Sequence, residues 1–218
     1  MPKKILLIVV MVFLMILFVG CESEPAEEVV EAPEVEEPVE DPVEEPAEEA
    51  GDVMGRVDQP LNMDGSSEGY PSAPIEAAGA RIFLAYDDDY IYVLMEAEVE
   101  GWLSIGINES GGGMDGANMI LGYLAEDGQP AFRDDVGVGR NHSEAGVTVI
   151  EQSYFDRSDG LTVLEFTYPT SFPADEGYNV EEILPGESYS LIVGLHSSSD
   201  NINNIHSARG MANFQVQP

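Results

Sequence analysis

The 218-residue chain has a single cysteine, Cys21, and no lysine beyond Lys4. From residue 22 onward no thiol exists, which excludes disulfides, thiolate metal sites, a cysteine nucleophile and covalently attached c-type haem from that part of the chain. The missing lysine rules out a phosphate-binding loop, and neither a GxSxG elbow, an HExxH helix nor a CxxC pair occurs. Gly137, Val138, Gly139 and Arg140 resemble a nucleotide loop only superficially, because the third glycine and a following helix are lacking. On these grounds the protein is not expected to be an enzyme. Positive charge is equally scarce: eight basic residues face 42 acidic ones, a formal charge of −34. From Gly51 onward the six remaining basic residues, all arginine, stand against 28 acids, a formal −22. Such a surface repels nucleic acid and anionic lipid, and it attracts cations or a basic partner. Adaptation to salt would leave the same composition.

What is present falls into three parts. Lys3 and Lys4 precede sixteen uncharged residues, 5–20, too few to span a bilayer comfortably and arranged as a secretory signal. Phe18, Val19, Gly20 and Cys21 resemble a bacterial lipobox with phenylalanine in the usual leucine place. The expectation is therefore a signal peptide over 1–20 and a lipid on Cys21 that anchors the chain on the extracytoplasmic face of a membrane. Residues 22–50 hold 14 acids and five prolines with only alanine and valine as apolar material, so residues 21–50 are read as a disordered acidic spacer. Residues 51–218 have the length of one domain with a substantial core.

That domain is rich in strand signals and nearly bare of helix signals. Residues 81–86 and 90–99 are separated by three aspartates, and Ile91, Val93, Met95, Ala97 and Val99 alternate to form one buried face. Further strands are expected over 102–107, 118–125, 147–155, 161–168, 189–195 and 211–216, with Asp159-Gly160 as a hairpin turn and a short helical turn near 175–184. Many short strands punctuated by turns predict an all-β fold, an antiparallel sandwich or barrel.

Residues 101–124 are the informative stretch: two apolar strands flank a glycine-rich turn containing Met114. A thioether among Gly111, Gly112, Gly113 and Gly116 either plugs a bare patch of core or faces a ligand. Of three histidines, His142 and His196 read as loop or strand-end residues, whereas His206 precedes the last strand in a loop held against the fold. Residues 62–68 alternate oxygen-bearing side chains around Gly65, a hint of calcium that is more simply a polar turn. Trp102 opens an apolar run and reads as core.

The order WLSIGIN, GGGMDGANMILGY and HSARGMANFQV, entered through DDDYIYVLMEAEVEGW, resembles the DOMON family over about residues 53–216. The resemblance implies an immunoglobulin-like antiparallel β-sandwich. It also implies, for haem-binding members, a noncovalent haem b gripped by a methionine in the loop after the GW strand and a histidine near the C-terminus, here Met114 and His206. Imidazole and thioether together fill both axial positions of haem iron, which leaves an electron carrier rather than an oxygen-activating site. Ile107, Met119, Leu195 and Ile205 are expected to line the pocket, with Arg140 or Arg209 at the propionates. The partners to expect are the membrane through Cys21 and a basic redox protein. A haem-free module binding polysaccharide or cell envelope is the alternative, with Tyr86, Tyr90 and Tyr92 as its aromatic face.

Overall fold

The computed structural model describes residues 52–173 and 176–218. The expected signal, Cys21 and spacer lie outside the described residues. Twelve strands and no α-helix are found among the described residues: β1 Val53–Arg56, β2 Ile75–Ala77, β3 Ala80–Tyr86, β4 Tyr90–Ala97, β5 Leu103–Glu109, β6 Asn118–Leu124, β7 Pro130–Val138, β8 Asn141–Glu144, β9 Ser153–Ser158, β10 Leu161–Pro169, β11 Ser188–Leu195 and β12 Ala208–Val216. They run in the order β8-β7-β6-β5-β11-β12-β1-β3-β4-β10-β9, with β2 beside β3. Every pairing is antiparallel except those of β1, which lies parallel to both β12 and β3. The ribbon folds at β1, and its two halves close over one core as a sandwich.

Closure follows from alternation. On the first half Leu103, Ile105 and Ile107 of β5, Ile120 of β6 and Leu191, Val193 and Leu195 of β11 point inward. They meet Ile91, Val93 and Met95 of β4 and Leu164, Phe166 and Tyr168 of β10. Burying a row of such side chains at about 1.5–3 kcal/mol each sets the register of both sheets, since a one-residue slip would expose them all. The alternation read from residues 91–99 matches this inner face. Its partner face is not left to solvent, however: Phe83, Leu94 and Val163 are buried beneath the segment between β1 and β2. Gly65 N–H and the Tyr70 hydroxyl pin that segment by donating to the buried Glu165 carboxylate, at 2.7 and 3.0 Å.

The Asp159-Gly160 turn forms with both residues at positive φ, +54° and +82°, as a tight hairpin needs. The strand before it begins later than residue 147. Val149 N–H donates at 2.6 Å to the Asp134 carboxylate, so this backbone is held by a side chain rather than by a sheet neighbour. Of the expected helical turn near 175–184 the described residues show 3-10 conformation at Glu176 alone, and Ser171 and Glu182 make an isolated bridge.

Where the halves touch, Gly122 is the contact. A Cβ there would stand 2.6 Å from Leu164 Cδ1 and 3.0 Å from Phe155 Cδ2. Gly122→Ala is expected to cost about 1–3 kcal/mol through overpacking, read as a lower urea midpoint with an unchanged m-value.

Candidate functional site

With the inner faces spent on the core, the outer face of β5, β6, β11 and β12 is what remains for a ligand. Register places its residues in rows. Leu121, Ser104, Gly194 and Arg209 form one row, Met119, Gly106, Ile192 and Met211 the next, and Asn108, Ser190 and Asn213 the third. Gly106 and Gly194 make the middle of this surface low. A Cβ on Gly106 would press against Met119 Cγ at 3.0 Å, and one on Gly194 would touch Trp102 and His206 at 3.6 and 3.8 Å.

Met114 belongs to the loop between β5 and β6, which is folded over the third row. The buried Asn108 amide donates to Gly113 O at 2.6 Å and Asp115 O at 2.9 Å. Gly116 N–H reaches Gly137 O at 2.9 Å, and Gly139 N–H reaches Asp115 Oδ1 at 2.6 Å. Asn179 binds the same loop twice, through its amide to Asp115 O and its N–H to Gly116 O, both at 2.8 Å. Gly137 must lack a side chain, because its Cβ would occupy the place of the Met114 carbonyl. A glycine-rich loop is thus fixed at six points, and half-buried Met114 is held rather than loose.

His206 lies over the first row, its Cδ2 nearest Gly194. The structure therefore brings Met114 and His206 onto one face of one sheet but does not bring them into contact. Their rows, at Asn108 and Ser104, are four residues apart along β5, roughly 13 Å. Between them the floor is Gly106, Met119, Ile192 and Met211.

Other expected residues divide. Met119 faces this surface and Ile205, 84% exposed, stands beside His206. Ile107 and Leu195 do not line it: strand parity turns both into the core. Arg140 and Arg209 are exposed at the two ends of the face, the first on the β7–β8 turn next to the Met114 loop. Trp102 is buried with Leu121 and Ile202 beneath the segment before β12, and His196 Nδ1 accepts from Ser198 and Ser199 N–H. Tyr86 and Tyr92 are buried, and Tyr90 is half-buried with its hydroxyl on Glu151, so these rings present no aromatic platform. In residues 62–68, Asp64 and Ser66 oxygens accept from the N–H groups of Ser66 and Glu68. Among the described residues no three His, Cys, Asp or Glu side chains gather to hold a bare metal ion.

Sequence reasoning passed over Ser104, Gly106, Ile192 and Gly194. The signal for Ser104, Gly106 and Gly194 was their small size at even-numbered positions of two otherwise apolar strands, LSIGI and SLIVGL. It also missed the edge of the face, where Asp135 is wholly buried, clasped by the Arg133 guanidinium and bonded to His142 Nδ1. Burial pushes the Asp135 carboxyl up, but the hydrogen bonds from His142 and Arg133 outweigh this and hold it below the usual range. A lowered folded pKa means stability that is present above the unfolded value near 3.9 and lost as pH falls through the folded one. Asp135→Asn is expected to cost about 3 kcal/mol at pH 7 and to flatten the loss of stability below about pH 4, followed by urea unfolding across pH.

No curated protein matches the sequence. Among solved structures, the cytochrome b domain of pyranose dehydrogenase from Coprinopsis cinerea superposes with a TM-score of 0.48 at 13% identity, covering 63% of this chain and 76% of that one. The cytochrome domain of Myriococcum thermophilum cellobiose dehydrogenase gives 0.45 at 13%, with 63% and 74% covered. A family 9 carbohydrate-binding module from Caldicellulosiruptor kristjanssonii in complex with glucose gives 0.43 at 10%, with 76% and 95% covered. Superpositions this loose bear on neither ligand nor activity. The family model of the DOMON domain matches residues 79–195, which include Met114 and stop short of His206. With more than half of its length matched, the chain belongs to the DOMON family.

Proposed function

We propose that the outer face of β5 and β11 binds haem b between Met114 and His206, and that the domain relays single electrons outside a membrane to which Cys21 tethers it. The observation that carries this reading is the arrangement of the two residues. The Met114 loop and the His206 ring lie at opposite ends of one sheet face, with Gly106 between them and Met119, Ile192 and Met211 keeping that face apolar. This donor set fits haem iron, whose four equatorial ligands come from the macrocycle, so that the protein needs to supply only two. When bound, haem held by Met114 and His206 would supply one-electron transfer.

The chain's own part is positioning. Asn108, Asn179 and Gly137 fix the Met114 loop, and the His206 ring lies against the sheet at Gly194. A fixed thioether loses little further freedom on ligation, which favours binding. The spacer would give reach from the membrane, and the formal −22 of the domain would draw a redox partner with a basic face.

The test is absorption spectroscopy of the full chain in detergent, loaded with haem and reduced with dithionite. A sharp low-spin six-coordinate spectrum is expected in the parent and its loss in both Met114→Ala and His206→Ala. Loose binding, or variants that match the parent, would remove the cytochrome reading. With the loaded protein, electron transfer to a basic partner is expected to slow as salt rises from 0.01 to 0.15 M, the range over which the Debye length shrinks from about 30 to 8 Å. Insensitivity to salt would exclude electrostatic docking.

A further inference from the structure

On the row that carries His206, one group is out of place. Ser104 is 3% exposed, yet its hydroxyl has no hydrogen-bond partner among the described residues. Leaving a buried hydroxyl unpaired is destabilising, and an alanine there would avoid the penalty. Its row neighbours, Leu121 on one side and Gly194 on the other, offer it nothing. Two groups on the same face could: the indole N–H of Trp102, two residues earlier and itself without a partner among the described residues, and the imidazole of His206. Ser104 and Gly194 are directly paired across β5 and β11, so their Cβ positions stand about 5 Å apart on the same face. The His206 ring rests over Gly194, with Cδ2 3.8 Å from that Cβ position. Its two sister histidines are engaged, His142 by Asp135 and His196 by two backbone N–H groups. His206 makes no side-chain hydrogen bond among the described residues. A buried acceptor without a donor and a ring without a partner thus face the same glycine.

A histidine that binds a metal through one ring nitrogen carries a proton on the other, and that N–H is almost always given to a second group that fixes the tautomer and the ring plane. We propose that Ser104 is this positioning residue: its hydroxyl oxygen accepts the N–H of the His206 ring nitrogen left free when the other ligates iron. The inference rests on the haem reading above and adds a residue to it. Accepting that hydrogen bond places more electron density on the imidazole, which favours the oxidised iron, so its loss raises the reduction potential.

Ser104→Ala, Ser104→Thr and the parent, each as the full chain loaded with haem in detergent, separate the possibilities. Ser104→Ala is expected to weaken haem binding about 10-fold. It should also shift the midpoint potential upward and change the g-anisotropy of the low-spin ferric signal. Ser104→Thr, which keeps the hydroxyl, should return all three toward the parent. Without haem, Ser104→Ala should unfold in urea at the parent's midpoint or above it, because it removes an unpaired buried hydroxyl. Weaker binding with undiminished apo stability is a signature that a purely structural serine would not give. If the parent takes up haem and Ser104→Ala keeps its affinity, potential and ferric signal, the role of Ser104 is overturned while the haem reading stands. If Ser104→Ala instead lowers apo stability, the hydroxyl is structural and the proposal fails. A parent that forms no low-spin complex overturns both.

Discussion

A strand offers its side chains only two directions, and in β5 and β11 one of them is wholly taken by the core. Leu103, Ile105, Ile107, Leu191, Val193 and Leu195 are each at most 5% exposed and cannot be spared without opening the sandwich. Everything that this pair of strands contributes to a ligand must come from the alternate positions. Those positions carry Ser104, Gly106, Asn108, Ser190, Ile192 and Gly194, a set with little bulk. Small residues let neighbouring segments lie close on this face, and Ser104, Asn108 and Ser190 are at most 3% exposed. The rest of the site is built upward from it by the two loops that Met114 and His206 occupy.

The same parity explains how far the sequence could be read. The inner strands announced themselves because Ile91 to Ala97 and Leu161 to Tyr168 are dense in β-formers and end at Asp-rich or Asp-Gly turns. The parts that were missed lack that signal for physical reasons. β1 and β2 are four and three residues long, and β7 carries Arg133, Asp134 and Asp135 in its middle. Those charges are tolerated in a strand because Arg133 neutralises Asp135 and His142 hydrogen-bonds it on one face, while backbone N–H groups bind Asp134 on the other. Such compensation is long-range and invisible to local periodicity. Met114 and His206 could be singled out by residue type and setting. Ile107 and Leu195 were misplaced because apolar character alone does not say which face a strand residue takes.

Charge shows a comparable division of labour. Of the six arginines, Arg56, Arg81, Arg133 and Arg157 pair with Asp88, Glu96, Asp135 and Asp200. Arg157 is the most committed, binding both Asp200 oxygens and the Gly101 carbonyl, and so tying β9 to the GW turn and to the segment that leads to His206. Arg140 and Arg209 form no ion pair among the described residues, although the domain is crowded with carboxylates. Both lie beside the candidate face, one near each ligand loop. In a domain of formal −22, the two guanidinium groups left over lower the local negative potential where an anionic ligand would approach.

Unpaired buried groups sort by the same logic. Five of the orphaned atoms belong to Asn118, Asp134, Tyr168 and Tyr178, on the inner side at one end of the sandwich. There donors and acceptors are mixed, and the Tyr168 hydroxyl faces the Asp134 carboxylate, whose pKa is raised chiefly by burial. Small adjustments among such neighbours can satisfy them, as an interior network requires. Ser104 has no such neighbourhood. It sits between a leucine and a glycine, on the face the core does not use, and the polar groups on that face are the unpaired indole N–H of Trp102 and a half-buried histidine on a separate loop. A cost carried in the empty protein and relieved only when that histidine turns its N–H inward is what a site preorganised for a ligand would show, whereas a core optimised for stability alone would have placed alanine there.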